Sequence, residues 1–203
     1  MTSNALLLAT ALFASSANPV QDAGKETSPS ANRVKTTIKT EKNGDMFLIH
    51  ETTLNAPVAK VWDAYTTSEG WKSWVAPVAK VDLKIGGLIK TNYRKGGKLT
   101  DEDAITLHII NYVPQRALTF QAELGKNFPA ILKSREKQMF NLLTFEPIGK
   151  GKTKLVSYGI GYKDSPELQA MMKFFVKANE DSLLQLIKYV ETGEGEPHTL
   201  NSK

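Results

Sequence analysis

Few side chains in this sequence have the chemistry needed for catalysis. The chain of 203 residues contains three histidines and no cysteine, which excludes cysteine nucleophiles, disulfide scaffolds and thiolate zinc or iron–sulfur sites. His50 and His108 are the two imidazole bases within the predicted folded domain. For both, an ordinary strand histidine that is hydrogen-bonded or faces solvent is the favoured interpretation. His198 lies in a polar C-terminal stretch, where we expect it to be solvated.

The sequence contains no familiar metal or cofactor motif. The acidic run Asp101–Asp103 opens a predicted strand, so its side chains alternate between two faces, and no glycine-based calcium loop follows it. Phosphate loops, dinucleotide fingerprints, nucleophile elbows and zinc spacings do not occur in the sequence. We therefore expect no metal and no cofactor. If the protein were an enzyme, His108 or Tyr158 would have to serve as its acid or base. We expect a binding protein instead.

The N-terminus has the pattern of a secretory signal peptide. An uncharged apolar run, Ala5–Phe13, precedes the small residues Ala14–Ala17, as in the hydrophobic region and cleavage site of such a peptide. No Lys or Arg precedes the run, and the alternatives are a buried helix start or a disordered leader. The expected location is the periplasm, with an extracellular destination as the alternative. We predict a signal peptide at 1–17, a disordered linker at 18–32, one domain at 33–192 and a flexible tail at 193–203.

Hydrophobic periodicity predicts an α+β fold. A turn at Asn43–Gly44 joins two strand-like runs, and the spacing becomes helical after Pro57. Two short helices are predicted, over Val58–Tyr65 and Ser68–Val75. A long amphipathic helix, Ser165–Glu191, ends the domain, and its wide apolar stripe must cover a sheet. That sheet is an antiparallel meander, whose further strands are predicted at Val78–Ile85, Leu88–Arg94, Ala104–Tyr112, Ala117–Leu124, Gln138–Glu146 and Thr153–Tyr162.

The order of these elements resembles that of a known superfamily. The segments Asn55–Ala64, Ser68–Trp74, Val81–Gly87 and Tyr112–Phe120 are similar in order and spacing to the SRPBCC superfamily, with its START-like, birch-pollen-allergen-like helix-grip fold. The most similar branch is the one named for the C-terminal domain of the heat-shock ATPase activator, and within it the exported bacterial SRPBCC domain-containing proteins. The resemblance covers about Met46–Glu191. It implies a curved antiparallel sheet wrapped around the long C-terminal helix, with two short helices after the first core strand.

The resemblance also implies a cavity between the sheet and the long helix. We expect it to hold a hydrophobic or amphipathic small molecule, either lipid-like or aromatic. The alternatives are a polyketide cyclase-like or hydrolase-like enzyme and a co-chaperone-like protein-interaction module. The basic insertion Gly125–Lys137 departs from the family pattern and suggests a lid. The residues expected to line the cavity are Trp74, Leu107, Ile109, Phe120, Phe140, Leu142, Tyr158, Met172, Phe175 and Asn179.

Charge is distributed unevenly along the chain. Lys80–Lys98 carries six basic side chains against one carboxylate, and Gly125–Lys154 carries seven against two. From Asp164 to the end the sign reverses, with four lysines against seven acids. Attraction to an anionic membrane surface or an acidic ligand is one interpretation, and ordinary solvated loop lysines are the other. We expect no nucleic-acid partner, because no motif combines basic and aromatic residues for stacking.

Overall fold

A computed structural model describes residues 33–125 and 128–200 of the chain. The predicted signal peptide and linker therefore lie outside the described residues. The strands are β1 Val34–Thr40, β2 Asp45–Leu54, β3 Val78–Val81, β4 Leu88–Asn92, β5 Ile105–Val113, β6 Ala117–Ala122, β7 Phe140–Pro147 and β8 Thr153–Lys163. The helices are α1 Val58–Thr66, α2 Ser68–Trp74, α3 Ala130–Lys133 and α4 Pro166–Thr192.

The eight strands form one antiparallel sheet. Their order is β1-β2-β8-β7-β6-β5-β4-β3, so every strand from β3 to β8 lies beside its neighbour in sequence, while β2 pairs with the last strand. Alternate residues of β2 are buried, from Met46 through Leu48 and His50 to Leu54. This alternation defines an inner face, which packs against the helices, and an outer face on the other side.

The two short helices form a tight pair on the inner face. Thr67 caps α2, because its Oγ1 accepts a hydrogen bond from the Gly70 backbone N at 2.9 Å. A Cβ at Gly70 would overlap the backbone of α1, so glycine is what lets the helices approach so closely. The indole nitrogens of Trp71 and Trp74 both donate to carbonyl oxygens of α1, at 2.6 and 3.0 Å.

Helix α4 closes the inner face of the sheet. Its start agrees with the sequence prediction, since Ser165 Oγ accepts from the Leu168 backbone N at 3.3 Å and Pro166 occupies the first turn. Gly193 ends it in the left-handed conformation, with φ 82°. Its buried side packs against β1, β2 and the two short helices. The curved sheet packs around one long helix, which confirms the predicted α+β helix-grip fold. None of the helices between residues 33 and 200 that the structure describes is both long and apolar enough to cross a membrane.

Two segments differ from their sequence predictions. The strand predicted over Val78–Ile85 ends at Val81, and Gly86, with φ 75°, forms part of a turn instead. In the basic insertion, Leu132 is fully buried, as is Met139 just after the insertion, so the segment suggested as a lid is attached to the core within it and directly behind it.

The last described residues pack onto the domain. The backbone N of His198 donates to the Val75 carbonyl at 3.1 Å, and that of Leu200 to the Tyr93 carbonyl at 2.8 Å. His198 is only 7% exposed, and burial lowers its pKa against the opposing charge of Asp181. The prediction of a solvated His198 is therefore wrong, since backbone pairing at His198 and Leu200 brings this stretch against the domain. The flexible tail at 193–203 remains a prediction.

Candidate functional site

A small cavity lies between the inner face of the sheet and α4. Its volume is about 10 Å³, which is room for a single water-sized group. Two of the ten residues predicted to line a cavity, Phe120 and Asn179, are among its walls. The lining comes from α1, β6, β7, β8 and α4, through Tyr65, Phe120, Asn141, Leu143, Ser157, Asn179 and Leu183.

The polar residues of this lining are open to the cavity. In the part of the chain that the structure describes, no hydrogen bond engages the side chains of Asn141, Ser157 or Asn179, or the hydroxyl of Tyr65. Burial raises the pKa of the Tyr65 hydroxyl, so it remains a neutral donor. Tyr65 and Ser157 are buried, whereas Asn141 and Asn179 are half-buried. Their amide and hydroxyl groups can form hydrogen bonds with a polar occupant of this space.

A second polar cluster begins next to this cavity. Thr36 Oγ1 lies 2.5 Å from Glu180 Oε1 of α4 and 2.9 Å from His50 Nδ1. The hydroxyl has a single hydrogen and the carboxylate can only accept, so Thr36 donates to Glu180 and accepts from His50 Nδ1–H. This fixes the tautomer and leaves His50 Nε2 as a buried acceptor without a partner. Burial lowers the pKa of His50 to about 4.

The register of the sheet connects the two clusters. His50 is the cross-strand partner of Thr36 on β1 and of Ser157 on β8. Directly opposed residues share a face, with Cβ atoms roughly 5 Å apart. A row of polar side chains therefore crosses the inner face from Thr36 through His50 to Ser157, which lines the cavity. The sequence left His50 as either hydrogen-bonded or solvent-facing; the structure shows the hydrogen bond together with a burial that was not predicted.

Aromatic packing limits the cavity on the side of α1. Phe145 meets Trp62 edge-on, with ring centroids 5.4 Å apart, and meets Tyr65 at 5.8 Å. Tyr65 in turn packs edge-on against Trp74 at 5.1 Å. These contacts fill the space with well-packed core. Five further residues predicted as cavity walls are buried within that core without lining this cavity: Trp74, Leu107, Ile109, Met172 and Phe175.

Three residues predicted as cavity walls lie on the outer face. Phe140 and Leu142 alternate with the cavity-lining Asn141 and Leu143, so their side chains point to the opposite side of the sheet. Tyr158 follows the cavity-lining Ser157 and pairs with Leu142 across the strands. All three are only half-buried. The structure thus corrects these assignments, because both faces of β7 and β8 carry apolar residues and the sequence alone did not distinguish them.

Neither candidate for the enzymatic alternative reaches the cavity. The side chain of His108 is 45% exposed, with Nε2 3.4 Å from Glu123 Oε2, and Tyr158 lies on the outer face. The lining residues that sequence reasoning missed as walls are Tyr65, Asn141, Leu143, Ser157 and Leu183. No sequence signal identifies Asn141 and Ser157 as inward-facing, because apolar residues occur at alternate and at adjacent positions of both strands.

No metal centre accompanies this site. Across residues 33–125 and 128–200, no three side chains of His, Asp or Glu are grouped so that they could hold an ion. The polar groups around the cavity are amides and hydroxyls, which suit hydrogen bonding to a neutral ligand group.

Comparison with known proteins gives a family and a fold. The family model described as Activator of Hsp90 ATPase homolog 1-like protein matches residues 55–191. No curated protein matches the chain. Solved structures with the same fold include the Aha1 dimer from Colwellia psychrerythraea, with 18% identity over 73% of this chain and 98% of that one and a TM-score of 0.56.

Two further solved structures are similar over more of the chain. The conserved protein of unknown function EF2215 from Enterococcus faecalis has 15% identity, covers 82% of this chain and 83% of its own, and gives a TM-score of 0.55. CalU16 from Micromonospora echinospora has 19% identity, with 81% and 87% covered and a TM-score of 0.55. At these identities the similarity shows the fold alone.

Proposed function

Because the chain belongs to the family of Activator of Hsp90 ATPase homolog 1-like proteins, we propose that it is a non-enzymatic binding protein for a hydrophobic or amphipathic small molecule. The ligand lies between the sheet and α4, with a polar group in the cavity and an apolar body against the core side chains around it. Recognition comes from hydrogen bonds to a neutral group such as a hydroxyl, carbonyl or amide.

The observation that carries this proposal is the convergence of unbonded polar side chains. Asn141, Ser157 and Asn179 come from two strands and a helix, and together with the Tyr65 hydroxyl they surround one small space. Amides and hydroxyls that converge on one space in this way can hydrogen-bond a polar group placed there, while the apolar lining residues contact the rest of the ligand. Asn179 is the one polar position that the sequence also singled out, within the apolar stripe of α4.

The size of the cavity determines how a ligand enters. Sites for small molecules typically enclose about 300–1,000 Å³, far more than the cavity of about 10 Å³ between the sheet and α4. Binding therefore requires α4 to move away from the sheet. Met171 and Met172 near the N-terminal end of α4 are flexible side chains that can repack around an apolar body.

Ligand retention is the direct test. Native mass spectrometry of the protein purified from its own cell envelope should show a co-purifying small molecule. Three uncharged probes, 1-dodecanol, lauramide and N-phenyl-1-naphthylamine, are used in a thermal-shift assay. Asn179→Ala should lower probe affinity about tenfold, equivalent to one lost hydrogen bond of about 1.4 kcal/mol. Asn111→Ala, at an exposed position on β5, is the matched control and should bind as the wild type does.

Two results would contradict binding in this cavity. A clean apo spectrum, together with no thermal shift for any probe, would overturn the binding function. Equal losses in Asn179→Ala and Asn111→Ala would retain binding but move it away from this cavity.

We also propose that the protein is exported, with its leader removed after Ala17. The apolar run Ala5–Phe13 and the small residues after it support this, as does a folded domain that needs no disulfide. Protein recovered from the periplasmic fraction should begin at Asn18, as determined by intact mass and N-terminal sequencing. Full-length protein confined to the cytosol would contradict export.

A further inference from the structure

Three hairpin turns lie together at one end of the sheet. In an antiparallel meander, alternate turns fall at the same end, so the turns β3–β4, β5–β6 and β7–β8 share it. Neighbouring turns in this set are two strand spacings apart, or about 10 Å. The Gly86 backbone N donates to the Ile109 carbonyl at 2.8 Å, and the Phe145 N to the Arg116 carbonyl at 2.8 Å, so the turns are held to the strands beside them. We call residues 82–87, 113–116 and 148–152 the hairpin end.

The hairpin end presents apolar side chains to solvent. Ile85 is 72% exposed and Val113 is 56% exposed. These are the two most exposed large hydrophobic side chains in the described part of the chain, ahead of Ile38 at 47%. Two such residues on adjacent turn tips are unusual for an ordinary solvated surface, where exposed aliphatic residues occur singly.

The same end is positively charged. It carries Lys84, Arg116, Lys150 and Lys152 against the single carboxylate of Asp82. Asp82 pairs with Lys84 at 2.8 Å, whereas Arg116, Lys150 and Lys152 are exposed and make no ion pair within residues 33–125 and 128–200. Three cations without an ion-pair partner therefore lie at the same end of the sheet as the two apolar side chains, Arg116 on the β5–β6 turn and Lys150 and Lys152 on the β7–β8 turn.

We propose that the hairpin end docks onto the surface of an anionic lipid bilayer. Ile85 and Val113 enter the interfacial region, while Arg116, Lys150 and Lys152 contact the negatively charged headgroups. Apolar burial and electrostatic attraction together are what peripheral membrane binding requires. A soluble polyanion would engage the cations but leave the two aliphatic tips in water, so the pairing favours a bilayer. This surface is separate from the cavity and does not depend on the small-molecule function.

Vesicle co-sedimentation tests the proposal. The full mature chain should sediment with vesicles of mixed phosphatidylcholine and phosphatidylglycerol, much less with pure phosphatidylcholine, and less as salt rises. The double substitution Lys150→Glu and Lys152→Glu should weaken binding by at least about 25-fold, since each surface cation contributes about fivefold. Ile85→Ser with Val113→Ser should weaken it by about tenfold, through lost aliphatic burial.

Matched controls lie away from the hairpin end. Lys42→Glu with Lys95→Glu, in turns at the other end of the sheet, changes the net charge by the same amount and should alter binding by less than about twofold. Ile38→Ser removes an exposed aliphatic side chain from β1 and should also be neutral. All substituted positions are exposed, and circular dichroism confirms folding.

Three outcomes would overturn the proposal. Absence of binding to anionic vesicles would do so directly. Equal losses in the lysine variants at the two ends would assign binding to net charge rather than to this surface. Unchanged binding of the Ile85→Ser and Val113→Ser variant would mean that the cations recognise an anionic polymer and not a bilayer, and heparin would then compete fully with the vesicles.

Discussion

Acid should destabilise this protein through His50, and His50→Gln should remove that sensitivity. The imidazole is 1% exposed, and burial lowers its pKa from 6.5 to about 4. The unfolded chain therefore binds more protons than the native chain between these two values. The stability associated with the neutral ring is fully present above pH 6.5 and is lost as the pH falls towards 4.

The size of the effect follows from the two pKa values. Between pH 7 and pH 5, an unfolded-state pKa of 6.5 and a native pKa of about 4 correspond to a loss of about 2 kcal/mol. Burial lowers the pKa of His198 as well, and that contribution is common to wild type and variant. The pKa values of Asp45, Glu51 and Glu191 lie below their usual range, so these carboxylates affect stability mainly below pH 4.5.

Urea unfolding followed by tryptophan fluorescence measures this difference. Trp62, Trp71 and Trp74 are buried, so their emission reports unfolding. The free energy of unfolding of the wild type should fall by about 2 kcal/mol more than that of His50→Gln between pH 7 and pH 5. The variant retains an amide that can donate to Thr36, which limits its own cost at pH 7. Parallel pH profiles for the two proteins would refute the buried, neutral state of His50.

Four further substitutions should separate local strain from lost contacts. Gly161→Ala should lower the free energy of unfolding by more than about 3 kcal/mol, because φ is 95° and the new Cβ would overlap a backbone carbonyl. Gly149→Ala has a positive φ but open space around the new Cβ, so it should lower the free energy by about 1 kcal/mol. Equal losses in the two variants would contradict the steric argument. Thr153→Val should lower the free energy of unfolding by about 1–2 kcal/mol, since its fully buried hydroxyl donates to a backbone carbonyl at 2.8 Å. Glu191→Gln should lower the free energy of unfolding by about 1 kcal/mol, because it removes the ion pair with Arg33 at 2.5 Å. Added salt should reduce this difference, which thermal denaturation can measure.

The fold was predictable because its signals are local. The turn at Asn43–Gly44, the start of α4 at Pro166 and the long apolar stripe each depend on neighbouring residues. The position of α4 against the sheet then follows, since no other surface is large enough to cover its stripe. Helix α2 was predicted from Ser68, and its cap is Thr67, a boundary that the sequence does not resolve to the residue.

The site was less predictable because it depends on which face of a strand points inward. In the stretch Phe140–Leu143, apolar residues occur on both faces of the strand, and the prediction of Phe140 and Leu142 as cavity walls placed Asn141 on the other face. Pairing with β8 sets the parity the other way, so that Asn141 faces α4. The burial of His198 depends on backbone hydrogen bonds to Val75 and Tyr93, more than a hundred residues earlier in the chain, and no local pattern predicts such pairing.

The pairing of β2 with β8 also has a consequence for the order of folding. Ile49 lies opposite Tyr158, a separation of 109 residues, so the centre of the sheet cannot close until most of the chain has left the ribosome. The hairpin β1–β2 can form early, but one edge of β2 stays unpaired throughout that interval. Folding is therefore completed late, when β8 becomes available to cover the open edge of β2.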